Sequence, residues 1–434
     1  MYRKYIEGLK IWYKNENRRP LAISGPRFSG KTYLVKTLLG DSILNKQYIY
    51  IDCDRDITFL KLINKGIKVE ELLSYLSINY NNIKLLIFDN VDENKTIISV
   101  IEKLHEYLQT MPIVMIQTSK KYYSSKDTTY MNSFDKMTIY PLDFEEYLLV
   151  RDKYLYINIK NHFENGKRIN KTIKEDIFEI FKEYLVIGGL PEVVVTYIET
   201  KNYGITKDVI QKLSQQLING FGRNYLNVTS AYNAVEVFQN VYGSLNQSFF
   251  KAASFEGTLR IRDMNIPLNG LIDNKIVSLV SKIDNIANIS SNNTHNKHFR
   301  VYMYDLGILN YQNDEIFFKK SMEEAKKAIK SALLENYIVN ELCKYFENIK
   351  YVKLKNKKDL VFLCTKDEAY FALSYSNTRS FFSTLSLLNK DNIIINAIKL
   401  YDKIPSKKIR SDNEIINDIK LKEMPIFALS FVLN

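Results

Sequence analysis

The octapeptide Gly25-Pro26-Arg27-Phe28-Ser29-Gly30-Lys31-Thr32 constrains this chain more than any other stretch of it. It fits the pattern G-x-x-x-x-G-K-[ST], which has physical meaning only between a strand and a helix. Both flanks are present. The apolar run Leu21-Ala22-Ile23-Ser24 leads in, and Tyr33–Leu39 leads out with apolar residues at helical spacing. Glycines let main-chain amides turn inward and approach an anion closely. The following helix adds the partial positive charge of its N-terminus. In such a loop Lys31 reaches the β- and γ-phosphates of a nucleoside triphosphate, and the Thr32 hydroxyl ligates magnesium. The residues therefore predict a site for ATP and Mg2+ over Gly25–Thr32.

The rest of the first 140 residues supplies the fold such a loop needs. Short apolar runs at Leu21–Ser24, Tyr48–Asp52, Lys84–Asp89, Ile113–Gln117 and Met137–Tyr140 alternate with helical spacing at Lys31–Leu39, Ile57–Ile78 and Ile97–Gln109. That rhythm predicts a parallel sheet covered on both faces. Asp89 ends the third run and is the candidate to complete the magnesium shell. Asn90 follows it, where an ATP-hydrolysing enzyme of this type places a glutamate to polarise water. An amide cannot accept a proton, and loss of a general base costs about 10²–10⁴-fold in rate. Asp92 or Glu93 could substitute. Thr118 or Ser119, after the fourth run, could sense the γ-phosphate; a strand running into a polar loop is the alternative.

Beyond Pro141 the pattern turns helical, over Phe144–Tyr154, Lys171–Leu185 and Lys207–Ile218. Gly188-Gly189-Leu190-Pro191 interrupts it as a break under packing constraint or as a contact near nucleotide. A smaller mixed region follows, with a helix over Ala231–Tyr242 and a strand over Arg300–Tyr304. The last part opens on a long helix, Met322–Tyr345, and continues with strands at Tyr351–Leu354, Asp359–Leu363 and Ala369–Tyr375. The aromatic stripe Tyr2, Tyr5, Trp12, Tyr13 is expected to pack the first helix on the core rather than to stack on adenine.

The excess of lysine and arginine gives a net charge of +12. That suits nucleic acid or another anionic partner, although charge speaks to association and not to fold. Cys53, Cys343 and Cys364 form no paired motif, so a disulfide framework or zinc site is not expected, and a reducing cytoplasm fits. No apolar run approaches the ~20 residues of a membrane span.

In order along the chain, "RRPLAISGPRFSGKTYLVK", "LLIFDNVD", "YPLDFEEYL", "YLVIGGLPEVV", "FRVYMYDLGIL" and "LLENYIVNEL" resemble blocks of prokaryotic AAA-type ATP-binding proteins whose C-terminal half is a domain of uncharacterised function. The resemblance implies an α/β P-loop NTPase core of AAA type (1–140) and a helical lid (141–225). A winged-helix-like domain (226–312) and an α/β restriction-endonuclease-like domain (320–434) would follow. It also implies a nucleotide-dependent switch with weak or no hydrolysis, or a DNA-associated regulator in which nucleotide is structural. DNA would meet Lys251, Arg260 and Arg262. Glu335 and Asp359 would fall at nuclease positions. The acidic partner motif reads Lys357-Lys358-Asp359-Leu360 here and the E-x-K region reads Ala372-Leu373-Ser374, so nuclease activity is not expected.

Overall fold

The computed structural model describes the chain except residues 67–68, 77–82, 93, 118–132, 166–169, 226, 246, 248–249, 251–260, 284–288, 290–297, 347, 354–359, 376–380, 382–384, 387–394, 403–413, 417–418 and 434. It divides into two compact units. The first holds Met1–Pro141, Gln216–Val235 and Asp263–Ile276; the second holds Leu142–Gln215, Glu236–Arg262 and Val277–Asn434.

The first unit is built on strands β1 (Leu21–Ser24), β2 (Tyr48–Asp52), β3 (Leu85–Asp89), β4 (Ile113–Ile116) and β5 (Asp135–Thr138). Their order is β2-β3-β4-β1-β5, and every neighbouring pair is parallel. Alternation along the strands sends side chains to two cores. Leu21, Ile23, Leu85, Ile87, Val114 and Ile116 join Ile6, Leu9 and Trp12 of the first helix (Tyr5–Lys14) and Leu34, Val35 and Leu39. Ala22, Leu86, Phe88 and Met115 face Phe59, Ile98, Ile101 and Leu104 on the other side. A parallel sheet buried on both faces explains why its central strands read as unbroken apolar runs. The expected parallel α/β core is therefore the one observed.

Some local expectations change. The stretch 57–78 is two helices, Ile57–Asn64 and Val69–Tyr75, because Gly66 leaves the helical region at φ 73. The helix after the loop runs over Tyr33–Ile43 and is widened to π geometry, with Leu44 N bonding Leu39 O at 2.9 Å. Gly40 lies under the Tyr48 ring, where a Cβ would come within 2.7 Å of a ring carbon. Trp12 is buried and its indole donates to Arg19 O at 3.0 Å, whereas Tyr2, expected in the same packed stripe, is 44% exposed.

The second unit carries a mixed sheet of β6 (Val277–Lys282), β7 (Phe299–Met303), β8 (Asn348–Lys353), β9 (Leu360–Lys366), β10 (Ala369–Ser374), β11 (Ile395–Tyr401), β12 (Glu414–Ile416) and β13 (Ile419–Pro425). The order is β12-β13-β11-β10-β9-β8-β6-β7. Strands from both sides of residue 312 thus share one sheet. The expected long helix 322–345 is two helices, Met322–Lys327 and Ser331–Tyr345. No proline or glycine breaks it. The turn lets Lys326 reach Glu179 and Glu183, at 3.6 and 3.8 Å, on the helix Lys171–Ile187. Among the described residues no helix is long and apolar enough to cross a membrane.

Candidate functional site

The octapeptide lies at the C-terminal end of β1, where the strand order reverses: β1 has β4 on one side and β5 on the other. In an open parallel sheet this reversal leaves a crevice beyond the strand ends, and ligands settle there. Backbone geometry forces residue types at two positions. Gly25 sits at φ 142, and a Cβ on it would overlap the Ile139 carbonyl oxygen. Gly30 sits at φ 89. Phe28 takes a left-handed φ of 65 without being glycine.

Lys31 is 5% exposed, and its Nζ donates to the carbonyls of Gly25 (2.9 Å) and Pro26 (2.8 Å). The loop is thereby folded around its own ammonium, which has a third N–H to offer. Burial pulls the Lys31 pKa down to about 7; Asp89 and Asp92 oppose the fall, while Arg27 and Lys275 add to it. Cations and carboxylates thus both surround the buried ammonium, and its own burial is the largest effect on its charge. Ser29 Oγ is fully buried and has no hydrogen-bond partner among the described residues.

The remaining strand ends complete the floor. Thr32 Oγ1 donates to Asp89 Oδ2 at 2.7 Å, and the Tyr50 hydroxyl donates to the same oxygen at 2.9 Å. With its proton on Asp89, the Thr32 oxygen keeps lone pairs for a cation. One hydroxyl and one carboxylate, with phosphate oxygens and water, are the donor set magnesium takes. Among the described residues no cluster of three His, Cys, Asp or Glu offers a rival metal site.

Asn90 stands at a left-handed φ of 55, and its side-chain amide donates to Asp52 Oδ1 at 3.0 Å. Asp52 and Asp89 end neighbouring strands in register. Besides Asp89, whose Oδ1 accepts from Asn90 N at 2.8 Å, a carboxylate on β2 thus touches position 90. After β4, Gln117 is 5% exposed; its Nε2 donates to Asp92 O at 3.2 Å, and its Oε1 has no hydrogen-bond partner among the described residues. Thr118, Ser119 and Glu93 lie outside the described residues, as do Lys251, Arg260 and Asp359; of Arg262 only the helical backbone is described. Glu335 is taken up in a 2.9 Å ion pair with Arg300, whose side chain is 5% exposed.

Sequence reading missed several contributors. Arg3, fully buried, donates to Ser29 O (2.7 Å) and Tyr140 O (2.6 Å), clamping the loop from the N-terminal side. Tyr50, Asp52 and Gln117 sit at or near strand ends, a rule that could have found them. Lys275, whose Nζ donates to Thr138 Oγ1 at 2.9 Å, comes from 137 residues further along, and nothing local announces it.

The chain's segments match two family models: residues 17–148 an AAA domain (AAA_14), and residues 178–316 a domain of unknown function (DUF8612). No curated protein matches. Among similar solved structures is domain III of the Thermotoga maritima replication initiation protein DnaA, with 14% identity and a TM-score of 0.26, over 45% of this chain and 83% of that one. Another is the replication initiator DnaA bound to AMPPCP and single-stranded DNA, with 14% identity and 0.30, over 61% and 82%. Unliganded Pif1 from Bacteroides sp gives 14% identity and 0.23, over 40% of this chain and 48% of that one.

Proposed function

We propose that this chain, whose residues 17–148 match the model of an AAA domain, is an ATP-dependent switch that binds Mg2+-ATP over Gly25–Thr32 and hydrolyses it slowly or not at all. The observation that carries the reading is the buried Lys31, wrapped by two loop carbonyls beside the 2.7 Å Thr32–Asp89 pair. Lys31 and the Ser29 hydroxyl would hold the phosphates, and Thr32 with Asp89 the metal. Bound magnesium would neutralise phosphate charge. Slow turnover follows from Asn90, whose amide is spent on Asp52 and accepts no proton.

The division into a helical lid (141–225), a winged-helix-like part (226–312) and an endonuclease-like part (320–434) belongs to the same proposal. DNA as a second partner rests on the +12 charge; retention on duplex DNA that falls steeply with salt is its test.

Titration calorimetry with Mg2+-ATP tests the main reading. The unchanged protein is expected to bind, and Lys31→Ala to lose at least about 100-fold in affinity, roughly the worth of two charge-assisted hydrogen bonds. Equal affinity in both proteins ends the proposal.

A further inference from the structure

The helix Ile261–Asp273, in the first unit from Asp263 onward, closes with Lys275 N on Ile272 O (2.8 Å) and Ile276 N on Leu271 O (2.9 Å). Lys275 itself takes the left-handed conformation, φ 56. Glycine is the usual residue there because a Cβ is strained in that region. A lysine held in such a conformation invites a question about what its side chain does.

Its ammonium is placed at the mouth of the phosphate loop. Nζ donates to Thr138 Oγ1 at 2.9 Å, Thr138 Oγ1 lies 3.2 Å from Ser24 Oγ, and Ser24 precedes Gly25. The same ammonium stands 5.7 Å over the Tyr140 ring. Thr138 ends β5, on one flank of β1, whereas Asp89 ends β3, on the other flank beyond β4. The two chemistries are therefore split across the crevice, a metal-binding pair on one side and a cation on the other.

We propose that Lys275 is a second cationic arm of the nucleotide site and bonds a phosphate oxygen of the bound triphosphate from the β5 flank. This rests on the nucleotide reading above and deepens it. Only Ile276 separates Lys275 from β6, the strand by which the chain enters the eight-stranded sheet. A residue that engages phosphate is thus joined covalently to the second unit, which gives the proposed switch a reader at a named position.

Lys275→Gly is the informative variant, because glycine suits the left-handed turn and removes a like charge. Without nucleotide it is expected to melt at the same temperature as the unchanged protein or higher, so a loss of binding would not reflect a loss of fold. Calorimetry with Mg2+-ATP and separately with inorganic tripolyphosphate should show about a tenfold loss for both ligands. Lys275→Arg should recover most of it. Unchanged affinity of Lys275→Gly, with the parent protein binding normally, overturns this inference and leaves the nucleotide reading standing. A loss confined to ATP overturns it too, since the contact would then be to the nucleoside. If the unchanged protein binds neither ligand, both readings fall.

Discussion

Two glycine-rich turns open helices in this molecule, and they end in opposite ways. At Gly25–Thr32 the buried charge is a cation, Lys31, held by two carbonyls of its own loop, with a buried Ser29 hydroxyl that has no partner among the described residues. At Gly188–Pro191 the buried charge is an anion the chain supplies for itself. Asp305, 2% exposed, accepts from Gly189 N at 2.8 Å and Ile308 N at 3.1 Å, so one carboxylate serves the starts of two helices, Pro191–Thr200 and Leu306–Asn310. Asn310 adds bonds to the carbonyls of Leu185 and Val186. A helix start preceded by glycines is an anion site in either case. The second turn is already filled from within, and it acts as a packing joint between the segments "YLVIGGLPEVV" and "FRVYMYDLGIL". At the first turn the proposed triphosphate would take that role.

The contrast breaks most visibly at the glycines. A Cβ on Gly189 would overlap the Leu142 carbonyl oxygen, and one on Gly307 would overlap that of Ile187. Both glycines are buried, so neither clash can relax outward. Gly189→Ala is expected to cost about 4 kcal/mol or more, at the far end of what single substitutions do, or to prevent folding of the second unit. Denaturant unfolding followed by tyrosine fluorescence measures it. A normal midpoint would mean the joint is loose and the contrast with the phosphate loop is false.

A smaller effect separates the two turns by pH. Burial raises the Asp305 carboxyl from 3.8 to about 6, against the pull of backbone donors at Gly189, Ile308, Gly307 and Leu190. An acid with a raised folded pKa holds more protons folded than unfolded between those values, so its contribution is fully present below pH 3.8 and is lost as pH rises through about 6. Two units correspond to about 3 kcal/mol at most. The stability of the native protein relative to Asp305→Asn should therefore fall by up to that amount between pH 4 and pH 7. A difference independent of pH would show that the four amides hold the carboxylate ionised throughout.

How far the sequence foretold these two turns depends on the range of the forces involved. β1 and β2 were legible to the residue because each is a short run of apolar and aromatic residues that ends on a polar one. β5 was read two residues late. It is an edge strand whose Asp135 and Lys136 face outward, so polarity masked its start. The loop itself was legible because a phosphate cradle is local: eight consecutive residues carry it. Arg3, Asp52 and Lys275 were not, since each is brought to the loop by topology across tens to more than a hundred residues. The break in the helix after Lys327 was hidden because no proline or glycine marks it. The Gly188–Gly189 motif was visible, but the Asp305 that settles its role lies 116 residues away.

The smallest expected effect concerns the one respect in which the phosphate loop resembles the closed joint. Asn90 is satisfied by the chain itself, through Asp52, as the joint's amides are through Asp305. If that saturation limits hydrolysis, exchanging the two chemistries should release it. Asn90→Glu alone would set two carboxylates against each other, and it would put a longer side chain at φ 55, which asparagine tolerates better. The double variant Asn90→Glu, Asp52→Asn keeps the hydrogen bond with donor and acceptor reversed and places the proton acceptor on β3. Its phosphate release from Mg2+-ATP is expected to exceed the native rate at least about tenfold, below the full worth of an optimised base. The single variant should fall between the two. Equal rates in all three would place the limit elsewhere, in how the crevice orders water, and the likeness between Asn90 and the joint would have no catalytic meaning.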